Sequence, residues 1–276
     1  MLLRLADEEV RSPVLRKQMR EAFPEKRFTQ VWPMVRVPRG AYYVYLAGQA
    51  LLMLGGSGLL IGLYSALRRR VRWRVLQAPL RELTRRRRQL WTVHAVYFGL
   101  MIFASLVTYE AAPVQTALLG VVGRQVESSE GLLGTAGKAY GSGVIPIAAA
   151  VTFLINFLVG SLVHITLPSL IIPGAGVLMA AFRASLRGVL LAPTFSGLSR
   201  ASLAHSWTIL LEGEAYILAA FFALLVPIYL LQPRRGGVLL RYRRGVAVNL
   251  QGALLVAAVL LVAACYEATE VILMAG

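Results

Sequence analysis

Residues 205–222 read HSWTILLEGEAYILAAFF, an apolar run that carries two carboxylates in its middle, Glu212 and Glu214. The run is long and apolar enough to cross a bilayer as a helix. A carboxylate at membrane depth is costly unless it is protonated, paired or facing water, so such residues often mark functional sites. The stretch therefore predicts a membrane-spanning helix with two candidate functional residues. The alternative is a structural role, in which each carboxylate is bonded to a neighbouring helix.

The composition of the whole chain extends this prediction. Of the 276 residues, 57% are hydrophobic, whereas soluble domains average about 45–50%. Because long apolar runs recur, we expect an all-α, polytopic transmembrane helical bundle with about five full spans plus an N-terminal span or re-entrant segment. Residues 1–40 are expected to form an N-terminal amphipathic, juxtamembrane segment, and residues 41–276 to form the transmembrane domain.

The charge pattern indicates orientation. The net charge is +16, and 26 of the 29 basic residues are Arg. They cluster in short blocks beside apolar runs, as membrane-flanking charge does, so nucleic acid is not an expected partner. Residues 68–88 hold ten Arg and one acid, and residues 232–244 hold five Arg and no acid. Both segments are predicted to be cytoplasmic loops, with residues 110–143 outside, in a multi-pass protein of the cytoplasmic (inner) membrane.

Two of the predicted spans are irregular. The run 41–67 contains Gly55-Gly56-Ser57-Gly58, which either kinks a full span or folds it back as a re-entrant hairpin; we favour the hairpin, which keeps the N-terminus inside. The run 168–190 contains Pro173, Gly174 and Gly176, so we expect a broken helix there. The other spans are expected at 89–109, 144–166, 203–231 and 247–273.

Two amphipathic segments are predicted on the membrane surface. Leu15, Met19 and Phe23 share one helical face, and Pro24 ends that helix. Residues 114–126 form a second pattern, interpreted as a helix on the outer leaflet. The five glycines between residues 131 and 143 predict a flexible link back to the membrane.

The sequence offers little catalytic chemistry. It has no Gly-Lys-Ser/Thr phosphate loop, no His-Glu-x-x-His pattern and a single cysteine, Cys265. We therefore expect no enzyme activity, no cofactor and no metal site. The three histidines, His94, His164 and His205, are interpreted as packing or interface residues.

Polar side chains at membrane depth remain as candidates. Glu212 and Glu214 should point in opposite directions, whereas Glu267 and Glu270 share a face and could bind a cation, shuttle a proton or simply be solvated. Arg183 and Arg187 lie at a depth similar to that of Glu212, so we expect one of them to pair with it; the alternative is that both arginines reach lipid headgroups and Glu212 is protonated. The full set of candidates is Asn156, Arg183, Arg187, His205, Glu212, Glu214, Glu267 and Glu270.

Three segments together resemble the stage II sporulation protein M-like family of integral membrane proteins. They are Asn156-Phe-Leu-Val-Gly160 with Gly174-x-Gly176-x-Leu-Met-Ala-Ala181, then Leu210-Leu-Glu-Gly-Glu-Ala215 with Leu218-Ala-Ala220, and finally Ala263-Ala-Cys-Tyr-Glu-Ala268. The likeness covers about residues 90–276. The chain departs from the family in having Trp207-Thr208-Ile209 where Pro-His-Gly usually precedes the motif Glu.

This resemblance implies a non-enzymatic membrane protein of a cell-envelope complex, which in spore formers works with peptidoglycan-remodelling partners. The broken helix and the intramembrane charges leave a second interpretation open, namely a permease subunit of a transporter or ABC-type exporter with a separate ATPase. The expected partners are membrane lipids and other envelope proteins. A cytoplasmic ATPase on the Arg-rich loops and a second copy of the chain remain open.

Overall fold

A computed structural model of the chain describes residues 36–127, 130–195, 205–232 and 237–275. These ranges contain nine helices and one isolated backbone bridge, which pairs Arg36 with Phe195. The helices are α1 (Arg39–Arg70), α2 (Arg74–Arg85), α3 (Arg87–Glu110), α4 (Ala112–Glu127), α5 (Gly131–Gly141), α6 (Ile145–Ile171), α7 (Ala175–Leu190), α8 (Ser206–Leu231) and α9 (Val238–Ala275).

Five of these helices, α1, α3, α6, α8 and α9, are long and apolar enough to cross a membrane. A helix satisfies its own backbone hydrogen bonds, which is what a lipid environment demands of a spanning segment. The protein is thus an all-α membrane protein, and the predicted fold class is confirmed.

Helix α8 lies at the centre of the bundle. In its most apolar window 67% of the residues are buried, against 28–39% in the other four long helices. The rings of Tyr216, Phe221 and Phe222 are almost wholly buried. Helix α9 packs along α8, and Gly252 leaves the space that the Phe222 ring fills. Residues 206–222, the apolar run with two carboxylates, therefore lie in the core of the bundle.

The bundle has two chemically different ends. One, the arginine-rich end, is formed by the end of α1, by α2 and by the beginnings of α3 and α9. At the other, the distal end, Arg39 pairs with Glu110 at 3.2 Å, and the Tyr109 hydroxyl donates to the carbonyl of Val37 at 2.7 Å. The start of α1 thus lies beside the end of α3, at the distal end.

The prediction of a re-entrant hairpin in 41–67 is wrong, because α1 is one continuous helix of 32 residues. Its central glycines form no turn, and one of them serves close packing. Gly56 faces Leu210 of α8 so closely that a Cβ would collide with it. Ser57 stays in the helix by donating to the carbonyl of Met53 at 2.6 Å. Residues 36–39 consequently lie at the opposite end of the bundle from the arginine-rich segment.

The helix break predicted at Pro173, Gly174 and Gly176 is present, but the helices before and after it have other bounds than the predicted spans 144–166 and 168–190. Helix α6 continues through Pro168 to Ile171 and is π-helical over Ile155–Thr166. The chain then turns at Gly174, whose φ of 102° suits glycine, and α7 runs for 16 residues. Residues 168–190 are therefore not one long span.

Three other segments also differ from expectation. Residues 131–141 form helix α5 instead of a flexible link, because Gly137 lets α5 approach Val126 of α4 closely. Residues 68–88 contain the end of α1 and the helix α2, and residues 238–244 belong to α9, so these parts of the Arg-rich segments are helical rather than loops. Helix α4 forms as predicted, with Gln115 facing the bundle and Val114 exposed. The amphipathic helix predicted around Leu15 lies outside the described residues.

Candidate functional site

The carboxylate of Glu212 is held by two other helices. Its Oε1 accepts a hydrogen bond from Asn156 Nδ2 of α6 at 2.5 Å, and its Oε2 forms an ion pair with Arg187 Nη2 of α7. The side chain of Glu212 is only 8% exposed. The expected ion pair thus forms with Arg187, and it joins α6, α7 and α8 inside the bundle.

Arg183 takes a different partner. Its Nη2 donates to the Tyr216 hydroxyl at 2.8 Å, and its guanidinium lies 4.3 Å from the centre of the Tyr216 ring, a cation–π contact. The Tyr216 hydroxyl in turn donates to Asn156 Oδ1 at 3.0 Å. Gly160 makes this possible, because a Cβ there would come within 2.7 Å of the Tyr216 hydroxyl oxygen. The Asn156 amide is therefore fixed with its oxygen toward Tyr216 and its nitrogen toward Glu212.

Glu214 faces the other side of α8, as the helical geometry predicts. Its Oε1 accepts from the Tyr64 hydroxyl of α1 at 2.7 Å, and its Oε2 lies 2.6 Å from His94 Nε2 of α3. Glu214 is fully buried, and the His94 side chain is 2% exposed. This cluster joins α1, α3 and α8.

The hydrogen bonds of His94 determine which of its ring nitrogens carries a proton. Its Nδ1 lies 2.8 Å from the carbonyl oxygen of Leu90, which can only accept, so Nδ1 carries a proton. One further proton then lies between Nε2 and Glu214, giving either imidazolium with carboxylate or neutral imidazole with carboxylic acid. The pair has zero net charge in both forms, which is what a buried site favours.

The carboxylates of Glu267 and Glu270 lie at the distal end. Glu270 Oε2 accepts from the Thr208 hydroxyl at 2.9 Å and lies 3.1 Å from His205 Nδ1. Glu267 lies beside Tyr140, whose hydroxyl is 3.0 Å from that of Thr152. Burial, followed by the nearby Glu267 charge, raises the pKa of Tyr140, so this hydroxyl stays protonated. His205 of the segment before α8 therefore pairs with Glu270 of α9.

The bundle surface has two grooves. One, of about 650 Å³, runs between α1 and the start of α8; the other, of about 240 Å³, runs between α1 and α3 and reaches His94. Neither groove is lined by Glu212, Glu267 or Glu270. The described residues also contain no cluster of three or more His, Cys, Asp or Glu side chains that could hold a metal ion.

A cationic surface covers the arginine-rich end. Helix α2 is docked through Leu80 and Leu83, both buried. The charge of its one acid, Glu82, is neutralised within the bundle, because Arg86 Nε lies 2.7 Å from the carboxylate and Arg86 is buried as well. The other nine arginines of residues 68–88 are exposed, and we call them the arginine surface: Arg68, Arg69, Arg70, Arg72, Arg74, Arg81, Arg85, Arg87 and Arg88.

Most of the predicted candidates fall into these clusters. Asn156, Arg187 and Glu212 come together, Arg183 joins them through Tyr216, and the remaining acids find separate partners. Pro173, Gly174 and Gly176 form the turn between α6 and α7, where Gly176 packs against the backbone of Ile165.

Sequence reasoning missed three aromatic partners of the candidate acids. They are Tyr64, His94 and Tyr216, which bond to Glu214 or to the neighbours of Glu212. The signal available for them was a hydroxyl or imidazole inside an apolar run, which needs a partner in lipid.

Comparison with known proteins finds no matching family model, no matching curated protein and no matching solved structure.

Proposed function

We propose that this chain is a non-enzymatic assembly component of a cell-envelope complex in the cytoplasmic membrane. In this proposal the bundle is a rigid anchor, and the arginine surface binds an acidic partner protein on the cytoplasmic side. The resemblance to the stage II sporulation protein M-like family supports the same role. The observation that carries the proposal is the arginine surface itself, with nine exposed guanidiniums on a docked support.

The clusters around α8 support the anchoring part of the proposal. Glu212 and Glu214 bond to side chains from α1, α3, α6 and α7, so the central helix is tied to most of its neighbours by buried polar contacts. Such fully partnered polar groups favour one arrangement of the helices over others. A surface carried by α2 is then held in a fixed position relative to the membrane.

The composition of the arginine surface supports a protein partner. Trp73 stands among the arginines with 75% of its surface exposed. Trp and Arg are the residues most enriched at the energetic centres of protein interfaces. Basic segments beside apolar helices also favour the cytoplasmic side, which supports a partner in the cytoplasm.

Co-purification from native membranes in mild detergent, followed by mass spectrometry, tests the proposal. The test variant carries Arg74→Glu and Arg81→Glu, both on exposed positions of α2. The control carries Arg124→Glu on α4, which is also exposed but lies outside the arginine surface. We expect a specific acidic protein to be retained by the wild type and the control and lost from the double variant. An unchanged set of partners in all three would refute the proposal.

A second candidate function is favoured by the π-helical segment of α6. Asn156, the partner of Glu212, lies in this segment, and π-helical turns are frequent at functional sites. We propose as the alternative a membrane subunit of a transporter that works with a separate ATPase bound at the arginine surface. The co-purification separates the two, because the alternative requires the retained protein to hydrolyse ATP and the first proposal requires that it does not.

A further inference from the structure

At the distal end, several ionisable side chains form one connected group. We call it the distal cluster and define it by Arg183, Arg187, His205, Glu212, Glu267 and Glu270. Arg187 pairs with Glu212 and also acts electrostatically on Glu267, which in turn lies beside His205 and Glu270. The cluster therefore extends from Glu212, in the second turn of α8, to Glu270 at the distal end.

The charges of this cluster do not balance. It holds three carboxylates, on Glu212, Glu267 and Glu270, against the two guanidiniums of Arg183 and Arg187. The carboxylates are shielded from solvent, and the side chain of Glu270 is only 7% exposed. An uncompensated charge in such surroundings is strongly disfavoured. One additional positive charge makes the cluster neutral.

Several polar atoms in the same cluster lack a hydrogen-bond partner in the part of the chain that the structure describes. They are Glu267 Oε2, Glu270 Oε1, Arg183 Nε, Arg187 Nη1 and His205 Nδ1, all inaccessible to solvent. The two oxygens are free acceptors on adjacent turns of α9. They offer a place for a proton, which converts a carboxylate acceptor into a donor.

We propose that the distal cluster binds one exchangeable proton, held among Glu267, Glu270 and His205 and exchanged with the distal side of the membrane. His205 provides the exit, because its side chain is 30% exposed while Glu270 behind it is almost fully buried. A metal ion fits less well, because Arg187 would repel it and the described residues supply no group of three or more suitable ligands.

Other polar groups surround the site. Arg187 and Glu212 bring charges of opposite sign, and the remaining groups donate or accept hydrogen bonds without changing the charge count. Among the described residues, the groups facing the cluster are Tyr97 from α3, Tyr140 from α5, Thr152 and Asn156 from α6, Arg183 and Arg187 from α7, and Thr208, Glu212 and Tyr216 from α8.

The test is a pH titration of the full chain in lipid vesicles, in which two spectroscopic signals are recorded at each pH. Infrared spectroscopy reports the carbonyl band of protonated carboxyl groups, and ¹⁵N NMR reports the three histidines, with His205 assigned by His205→Gln. We expect one group, either a carboxyl or His205, to be protonated at neutral pH and to lose its proton as the pH rises. We also expect Glu267→Gln and Glu270→Gln each to change that titration.

Glu110→Gln is the matched control, because Glu110 also lies at the distal end but is exposed and paired with Arg39. It should leave the titration of the site unchanged. Two results would overturn the proposal: no carboxyl band and no protonated His205 at neutral pH in the wild type, or a titration that neither Gln variant alters. The measurements are also made in a Glu214→Gln background, because Glu214 beside His94 can itself hold a protonated carboxyl group. Where Glu267→Gln fails to fold, Glu267→Asp replaces it.

Discussion

Glu212 and Glu214 lie two residues apart on α8 and are held by different helices on opposite sides of it. Glu212 faces two donors, Asn156 Nδ2 and Arg187, whereas Glu214 faces the Tyr64 hydroxyl and His94 Nε2, which can accept. Replacement of the carboxylate by an amide is therefore expected to cost much more stability at Glu212 than at Glu214.

Glu212→Gln should destabilise the protein strongly. Whichever way the new amide is turned, its NH₂ group would face another donor, either Asn156 Nδ2 or Arg187. Arg187 would also be left with an uncompensated buried charge. Asn156 cannot relieve the conflict by turning over, because its oxygen accepts from Tyr216. Removing one partner of a buried ion pair costs about 3–5 kcal/mol. Thermal unfolding in detergent measures the effect, and a melting temperature equal to that of the wild type would contradict the pairing.

Glu214→Gln should be tolerated much better. The amide oxygen can still accept from Tyr64, and the amide NH₂ can donate to Nε2 of a neutral His94, whose Nδ1 proton is held by Leu90. We expect a loss of no more than about 1.5 kcal/mol, the usual net worth of a hydrogen bond. His94→Leu is the control that removes the partner, and it should cost more than Glu214→Gln because it leaves a buried carboxyl group without its partner.

A double-mutant cycle should distinguish the two arginines. Arg187 contacts the carboxylate of Glu212, whereas Arg183 contacts Tyr216. Once Glu212→Gln is present, adding Arg187→Gln should cost little more, because the charge that had lost its partner is removed as well. Adding Arg183→Gln should instead approach its full separate cost. Unfolding free energies of the three single variants, the two double variants and the wild type give both coupling energies, and a larger coupling for Arg183 would rule out this assignment.

The contrast between the two carboxylates also shows what a sequence can predict here. Glu212 and Glu214 stand out because a charge in an apolar run is costly, and the counting of helical residues from each surface suggests an arginine at the right depth. Tyr64 and His94 give a weaker signal, a single polar group in an apolar run, since either residue can also lie at a membrane interface. Their role depends on how α1 and α3 pack against α8, which no local pattern encodes.

The glycines illustrate the same limit. The sequence predicts a kink or a re-entrant hairpin at Gly55, Gly56 and Gly58 and a flexible link at the glycines of 131–143, because glycine often breaks helices. In a membrane, glycine more often permits close contact between helices. Gly56 against Leu210 and Gly137 against Val126 are such contacts. By contrast, Gly174 has a positive φ and forms the helix break that the sequence predicts between α6 and α7.

Close packing of α7 on α3 supplies another prediction. A Cβ at Gly188 would collide with the carbonyl oxygen of Met101, whereas one at Gly99 would meet nothing within 4 Å. Gly188→Ala should therefore destabilise the protein by about 1–3 kcal/mol, the usual cost of overpacking. Gly99→Ala, on an exposed face of α3, should be neutral or slightly stabilising because alanine favours the helix. Equal melting temperatures for the two variants would show that α7 does not pack against α3 in this way.

The arrangement of the two ends can be tested by cysteine labelling with a membrane-impermeant reagent. In a Cys265→Ala background, Arg39→Cys and Glu127→Cys should react from the same side of the membrane, because α1 begins at the distal end. Arg81→Cys, on α2, should react only from the other side. Labelling of positions 39 and 81 from one side would mean that α1 does not cross the membrane.

The arginine surface also bears on how permanently the protein is oriented. In a membrane with a negative interior, the electric potential holds each positive charge inside by roughly 2.3 kcal/mol per 100 mV. Nine exposed guanidiniums share one end of the bundle, and every one of them would have to cross the hydrocarbon layer for the molecule to invert. With the arginine surface on the cytoplasmic side, as proposed above, we expect the orientation chosen during insertion to be kept for the lifetime of the protein.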